Sequence, residues 1–197
     1  MSDVPDLIKE MKKNGIGLMS EAQYLNVGYV VELLSPCNLL IFGLGEDSSL
    51  WTENNKAGKT VFIEDDKEWI KKFDGQNLDI CPVTYNTLAR EWRDINFDVE
   101  KLKMDLPKEI VDTKWDLVFV DGPLGHNPPR PYKGPGRMQS IYTAHTLLRE
   151  GGICIIDDIG RLIESTYADH YFGEENTMNK IEDKLAIYKK RNRWIFS

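Results

Sequence analysis

Five short apolar runs, separated by stretches with helical spacing, constrain this chain more than any other feature. Residues 38–42, 60–63, 80–87, 116–120 and 153–156 are rich in aliphatic and aromatic side chains and bounded by turn residues. Strands buried on both faces read this way. Between them, helices are expected over 3–13, from a Ser20/Gln23 capping box through about Leu33, and over 49–55, 67–73, 138–149 and 162–171. Strands alternating with helices imply a parallel sheet with right-handed crossovers. Residues 184–189 and 193–196 flank a basic Arg191-Asn192 turn and suggest a closing antiparallel hairpin. The expected fold is therefore α/β: a doubly wound, mostly parallel, seven-stranded sheet with a C-terminal antiparallel hairpin. Residues 1–19 are expected as a helical extension and 20–197 as a single domain, a size able to bury such a sheet.

Composition narrows the function classes. The formal net charge is −7, which argues against a nucleic-acid partner because phosphate binding normally needs a basic face. The three cysteines, Cys37, Cys81 and Cys154, are odd in number and lack CxxC spacing, so they read as buried small hydrophobes in a reducing compartment. The first fifteen residues lack the apolar core of a signal peptide, and no run approaches a bilayer span. A cytoplasmic protein without membrane contact is expected; oligomeric state is not legible.

In open α/β sheets ligands sit beyond the carboxyl ends of the strands. Four strands carry polar groups there: Gly43-Leu44-Gly45 with Asp47, then Glu64, Asp121 and Asp157-Asp158. Glu64 lies 21 positions after Gly43, the distance at which an acid commonly accepts hydrogen bonds from ribose hydroxyls. The glycines can be a plain tight turn and the acids helix caps, but their combined order points to a nucleoside cofactor. Ser48 stands where GxGxxG needs its last glycine, which weakens dinucleotide binding, and no GxxxxGK[ST] loop exists.

The segments CNLLIFGLGEDSSLW, TVFIEDDKEWI, WDLVFVDGP, GPGRMQSIYTA and IDDIGRLIESTYADHYF, in that order, resemble the glucuronoxylan 4-O-methyltransferase family, which includes the plant irregular-xylem proteins. The resemblance implies a class I methyltransferase fold, S-adenosylmethionine as donor, and methylation of a glucuronic acid hydroxyl. Carried over residue by residue, Gly43, Leu44, Gly45 and Asp47 would line the methionine and ribose side. Glu64 would hold the ribose, Asp65 would lie beside the adenine, and Tyr85 and Asn86 would offer an adenine edge. Asp121 would sit beneath the reacting methyl. Two departures stand out: His126 to Lys133 is inserted before GPGRM, and Asp157-Asp158 replaces the plant His-Asp.

A sugar hydroxyl is a poor nucleophile, so a base or a metal must help remove its proton. Asp121 is the first candidate base, His126 the alternative, and Asp158 a further catalytic candidate. Asp121, Asp157 and Asp158 together could hold Mg²⁺, Mn²⁺ or Ca²⁺, which prefer oxygen ligands. Arg130, Lys133 and Arg137 cluster in an otherwise acidic chain and could grip a uronate or other anionic acceptor, Arg137 foremost because arginine forks onto carboxylates. Trp51 and Trp69 read as core packing. The rival readings are a metal-dependent small-molecule O-methyltransferase, an NAD- or nucleotide-binding Rossmann protein, and a catalytically silent S-adenosylmethionine-binding partner.

Overall fold

The computed structural model describes residues 4–124 and 134–191. Helix α1 (Val4–Lys13) has Asp6 in its first turn and lysines in its last, charges that complement the helix dipole. Helix α2 (Glu21–Leu34) is opened by the expected capping box. Ser20 Oγ accepts the Gln23 amide at 3.2 Å, and Gln23 Oε1 accepts the Ser20 amide at 2.9 Å. Then follow β1 (Asn38–Phe42), α3 (Ser48–Asn54), β2 (Lys59–Glu64), α4 (Lys67–Lys71) and β3 (Asp79–Pro82). Three four-residue helices come next: α5 (Trp92–Ile95), α6 (Val99–Leu102) and α7 (Lys108–Val111). The chain continues through β4 (Trp115–Val120), α8 (Met138–Leu147), β5 (Leu148–Asp157), α9 (Leu162–Tyr171), β6 (Thr177–Ile181) and β7 (Leu185–Lys189).

The seven strands form one sheet in the order β3-β2-β1-β4-β5-β7-β6. β1 pairs in parallel with β2 and β4, and β7 runs antiparallel to both β5 and β6. The switch point thus lies between β1 and β4, where a crevice opens. The α/β class, the seven strands and the closing antiparallel pair are as expected. The pairing within that closing pair is not. β7 has β5 on one side and β6 on the other, and residues 193–196, expected as its partner, lie outside the described residues. The hairpin of β6 and β7 turns through residues 182–184, with positive φ at both Glu182 and Asp183, the left-handed conformation that tight hairpin turns use. That non-glycine turn carries no Asn-Gly signal, which is why the sequence does not reveal it. β3 also stops at Pro82 rather than at residue 87, because proline donates no ladder hydrogen bond and confines a strand to an edge. The short helices α5 to α7 carry too few residues for a periodic signal.

The sheet is covered on both faces. One face packs α8 and α9 over Leu40, Phe42, Val118, Val120, Cys154 and Ile156. The other packs α1, α2 and α3 over Leu39, Ile41, Phe119 and Ile155. Residues 1–19, expected as an extension, include α1, whose Val4, Ile8 and Met11 are buried in this second core. Trp51 is core as expected, stacked on Tyr24 at 5.8 Å and edge-on to Phe119 at 6.0 Å. At the switch point β1 and β4 approach too closely for side chains. A Cβ on Gly122 would lie 2.8 Å from the Gly43 Cα, and Gly43 itself sits at φ +106. Asp121 therefore leaves β4 directly beside the loop that follows β1.

Candidate active site

A cleft of about 960 Å³ opens at the carboxyl ends of β1, β2, β4 and β5. Its floor is the loop 43–47, and that loop is held by Glu64. Oε2 of Glu64 accepts the Leu44 amide at 2.9 Å, while Oε1 accepts the amides of Asp65 and Asp66, both at 2.9 Å. Ser48 Oγ accepts the Gly45 amide at 2.9 Å. Side chains of the protein thus already occupy the loop amides that a pyrophosphate would need, which removes the physical basis of dinucleotide binding here. Trp69 packs against the core beside Phe73 as expected, and also faces the cleft, donating its indole N–H to the Leu44 carbonyl at 2.6 Å, so it pins the same loop. Asp47 accepts the Tyr24 hydroxyl at 2.8 Å. Burial raises the Asp47 carboxyl above its ordinary value, against the pull of that hydrogen bond.

The acids at the ends of β4 and β5 converge on Arg137, which is 2% exposed. Its Nη2 lies 3.3 Å from Asp121 Oδ1 and 2.9 Å from Asp158 Oδ2. Its Nη1 donates to the Asp157 carbonyl at 2.8 Å and its Nε to the Pro123 carbonyl at 3.3 Å. Arg137, expected to grip a substrate carboxylate, spends its fork on the chain's own groups. The same geometry bears on the expected metal set. Asp121 and Asp158 share a guanidinium, and among the described residues no group of three or more His, Cys, Asp or Glu is placed to hold a metal ion. The donor set present does not fit a divalent cation.

Asp157 is fixed from the other side by Gln23, whose Nε2 donates to Asp157 Oδ1 at 2.9 Å. The helix cap decides this orientation, because Gln23 Oε1 is already taken by Ser20. Asp121 turns about a third of its side chain to the cleft, yet protein surrounds it. Desolvation raises its carboxyl well above the usual range; Asp157 and Asp47 add to the rise and Arg137 opposes it. Asp157 is raised too, first by desolvation and then by Asp158.

Gly43, Leu44, Gly45, Asp47, Glu64, Asp65, Asp121, Asp157 and Asp158 all line the cleft. Tyr85 and Asn86 are not among its lining residues. Tyr85 Oη meets Ser140 Oγ at 3.1 Å, and the Asn86 amide donates to Gln139 Oε1 at 2.8 Å. His126, Arg130 and Lys133 lie outside the described residues. Sequence reasoning missed Gln23, Tyr24, Arg161 and the segment around Leu18, all of which line the cleft. Gln23 was visible only as a cap and Arg161 only as a charge after the Asp157-Asp158 pair.

The raised acids make stability depend on pH with a definite sign. Burial, then Glu64, pushes Asp65 up to about 6. A carboxyl whose folded value exceeds its unfolded one lets the native state bind more protons in between, so stability falls as pH rises through that window. The melting temperature is expected to be higher at pH 5 than at pH 8, and Asp65→Asn to flatten part of that slope. A melting temperature that climbs steadily from pH 5 to pH 8 would contradict these assignments.

A 3-2-1-4-5-7-6 sheet with its seventh strand reversed, and an acid-lined crevice at the β1/β4 switch point, define the class I methyltransferase architecture. Solved structures agree on the fold. A methyltransferase-like protein of Silicibacter pomeroyi matches with a TM-score of 0.53 at 14% identity, over 89% of each chain. MycE methyltransferase of the mycinamycin pathway, solved with Mg and SAH, matches with a TM-score of 0.53 at 13% identity, over 96% of this chain and 54% of that one. The family described as IRX15/IRX15L/GXM matches residues 25–101 and 94–188, and the chain belongs to it. Glucuronoxylan 4-O-methyltransferase 3 of Arabidopsis thaliana is 37% identical over 164 residues, covering 71% of this chain and 53% of the relative. Protein IRREGULAR XYLEM 15 and arabinogalactan O-methyltransferase 2 of the same plant are 34% and 33% identical, over 78% and 74% of this chain and 54% and 58% of their own. The chain thus spans a little over half the length of these relatives.

Proposed function

We propose that this chain transfers a methyl group from S-adenosylmethionine to a sugar hydroxyl, on a saccharide bearing glucuronic acid or a similar uronate. One observation carries the reading: the raised carboxyl of Asp121 opens onto the same cleft as the preset Gly43–Gly45 loop. The names of the relatives, which act on glucuronoxylan and arabinogalactan, support it. So does the SAH bound by MycE methyltransferase. The chemistry of the lining fits the donor, because eight carboxyl side chains face three cationic ones. Such a surface favours a ligand carrying a sulfonium and an ammonium and disfavours a pyrophosphate.

When bound, S-adenosylmethionine supplies a methyl group on a positively charged sulfur. Glu64, Asp65 and the loop from Gly43 to Asp47 would hold its nucleoside and amino-acid parts. Asp121 takes the proton of the attacking hydroxyl as the new C–O bond forms, leaving a neutral carboxyl, a methyl ether and S-adenosylhomocysteine. Its rise above the ordinary carboxylate range makes the ionised group a stronger base than a free carboxylate. Arg137 pairs with Asp158 and fixes Asp121 in place. The fixed geometry supplies much of the barrier reduction by aligning the reactants.

Incubation with labelled S-adenosylmethionine and glucuronic-acid-bearing oligosaccharides is expected to label the saccharide. Asp121→Asn should lower kcat by about 10²- to 10⁴-fold while S-adenosylhomocysteine binding stays within a few-fold. Activity should survive EDTA, because Arg137 already neutralises the acids a cation would use. Absence of label on every uronate offered would retire the proposal. Loss on EDTA with recovery in Mg²⁺ would shift it to the metal-dependent small-molecule class.

A further inference from the structure

The acceptor in that proposal is an acid, and the cleft that must receive it is itself acid-lined. A carboxylate can settle there only beside a cation with donors to spare. The cations among the described lining residues are Arg137, Arg161 and Lys184. Arg137 is enclosed, its Nε, Nη1 and Nη2 all engaged by the chain's own oxygens. Lys184 stands exposed beside the β6–β7 turn, a hydrated point charge.

Arg161 differs from both. It occupies the N-cap position of α9, directly after the β5 acids, and a third of its side chain is exposed. Nη2 lies 2.9 Å from Asp158 Oδ2. Nη1 is shut off from water and has no hydrogen-bond acceptor; its ion-pair partner, Glu164 Oε1, stands 3.8 Å away, too far to accept. The exposed third of this side chain lines the cleft, with Asp158 as its one hydrogen-bonded partner among the described residues, and arginine can receive a carboxylate through two parallel N–H groups.

The geometry points to Arg161 as the side chain that grips the acceptor's carboxylate and sets the preference for acidic over neutral sugars. This inference rests on the uronate reading above. It assigns specificity to a residue whose loss the fold tolerates, since Asp158 keeps Arg137 at 2.9 Å.

The test is calorimetry on the whole chain saturated with S-adenosylhomocysteine. The probes are a glucuronic-acid-bearing xylo-oligosaccharide and its carboxyl-reduced counterpart. The wild-type protein is expected to bind the acid about ten- to a hundredfold more tightly, the worth of a charged two-point contact. Arg161→Gln should erase that preference and leave the neutral saccharide unaffected. Arg161→Lys should keep part of it, and decides the matter should the glutamine variant melt early. Lys184→Gln should keep all of it. A preference that survives in Arg161→Gln and Arg161→Lys, one that vanishes in Lys184→Gln, or none in the wild type, overturns the assignment. Methylation measured on the same samples separates the two claims. Acid binding without methylation would sink the transferase reading and leave the anchor standing; methylation without acid preference would do the reverse.

Discussion

Arg137→Met is expected to lower the melting temperature by about 6–20 °C. Removing one partner of a buried ion pair typically costs about 3–5 kcal/mol, because the remaining charge has neither water nor counter-ion. For a chain of 197 residues each kcal/mol moves the midpoint by roughly 2–4 °C. Here the deletion strands Asp121 and, in part, Asp158, together with the carbonyls of Pro123 and Asp157. Methionine matches the length of arginine's stem, so the loss reads the charge and the donors rather than a cavity. The deficit should shrink on acidification, since Asp121, raised by burial, no longer needs a cation once protonated. Arg137→Lys, with one point charge in place of a fork, should fall between. Thermal melts at pH 5 and pH 8 check all three statements. A methionine variant melting within about 2 °C of wild type, well below the cost of an orphaned buried charge, would mean that the three acids do not depend on this guanidinium.

Glu64→Ala should have the second largest effect, and its signature is a loss of donor binding together with a loss of stability. The Glu64 carboxylate accepts three main-chain amides, those of Leu44, Asp65 and Asp66. Each hydrogen bond to a charged group contributes about 1.5–3 kcal/mol, and the three are not additive because they share one side chain. A net loss of about 3–4 kcal/mol follows, since water in the cleft can reach some of the freed amides. That corresponds to a melting shift of roughly 6–16 °C. Binding suffers as well. The Leu44 amide is fixed through this carboxylate, and Trp69 holds the carbonyl of the same residue. With the carboxylate gone, the loop must be ordered by the ligand itself, and S-adenosylhomocysteine affinity should fall at least about a hundredfold, the energy of two ordered bonds. Glu64→Gln tests the mechanism, because an amide oxygen can still accept but the second position now donates. It should behave like the alanine variant in binding while losing less stability. Unchanged affinity in Glu64→Ala would remove Glu64 from the donor site and with it the central support for the proposed function.

Much of the fold was legible because buried strands and capped helices leave local marks. The runs at β1, β2, β4 and β5 are apolar on both faces, and the Ser20/Gln23 cap was readable from two residues. What was misread shares one cause. The sequence extends β3 five residues too far because Val83, Thr84 and Tyr85 have strand-forming side chains, yet the register with β2 ends at Pro82, whose neighbour Val83 makes the last amide bond to Glu64. The pairing of β6 with β7 goes unread because its turn, Glu182-Asp183, shows no glycine. Pairing is a property of two segments at once, and a single sequence displays only one side of it.

The site divides along the same line. The sequence alone determined which residues end the strands, and hence that glycine, glutamate and three aspartates meet at one edge of a parallel sheet, because strand direction and period depend only on local chemistry. Only the tertiary structure decided what those groups do to one another. It turned Arg137 inward onto the acids, set Gln23 against Asp157, and placed Arg161 in the cleft wall against Asp158. The reason is reach: a guanidinium or an amide finds its partners within a few ångströms in space, whatever their separation along the chain, and sequence spacing carries no record of that distance.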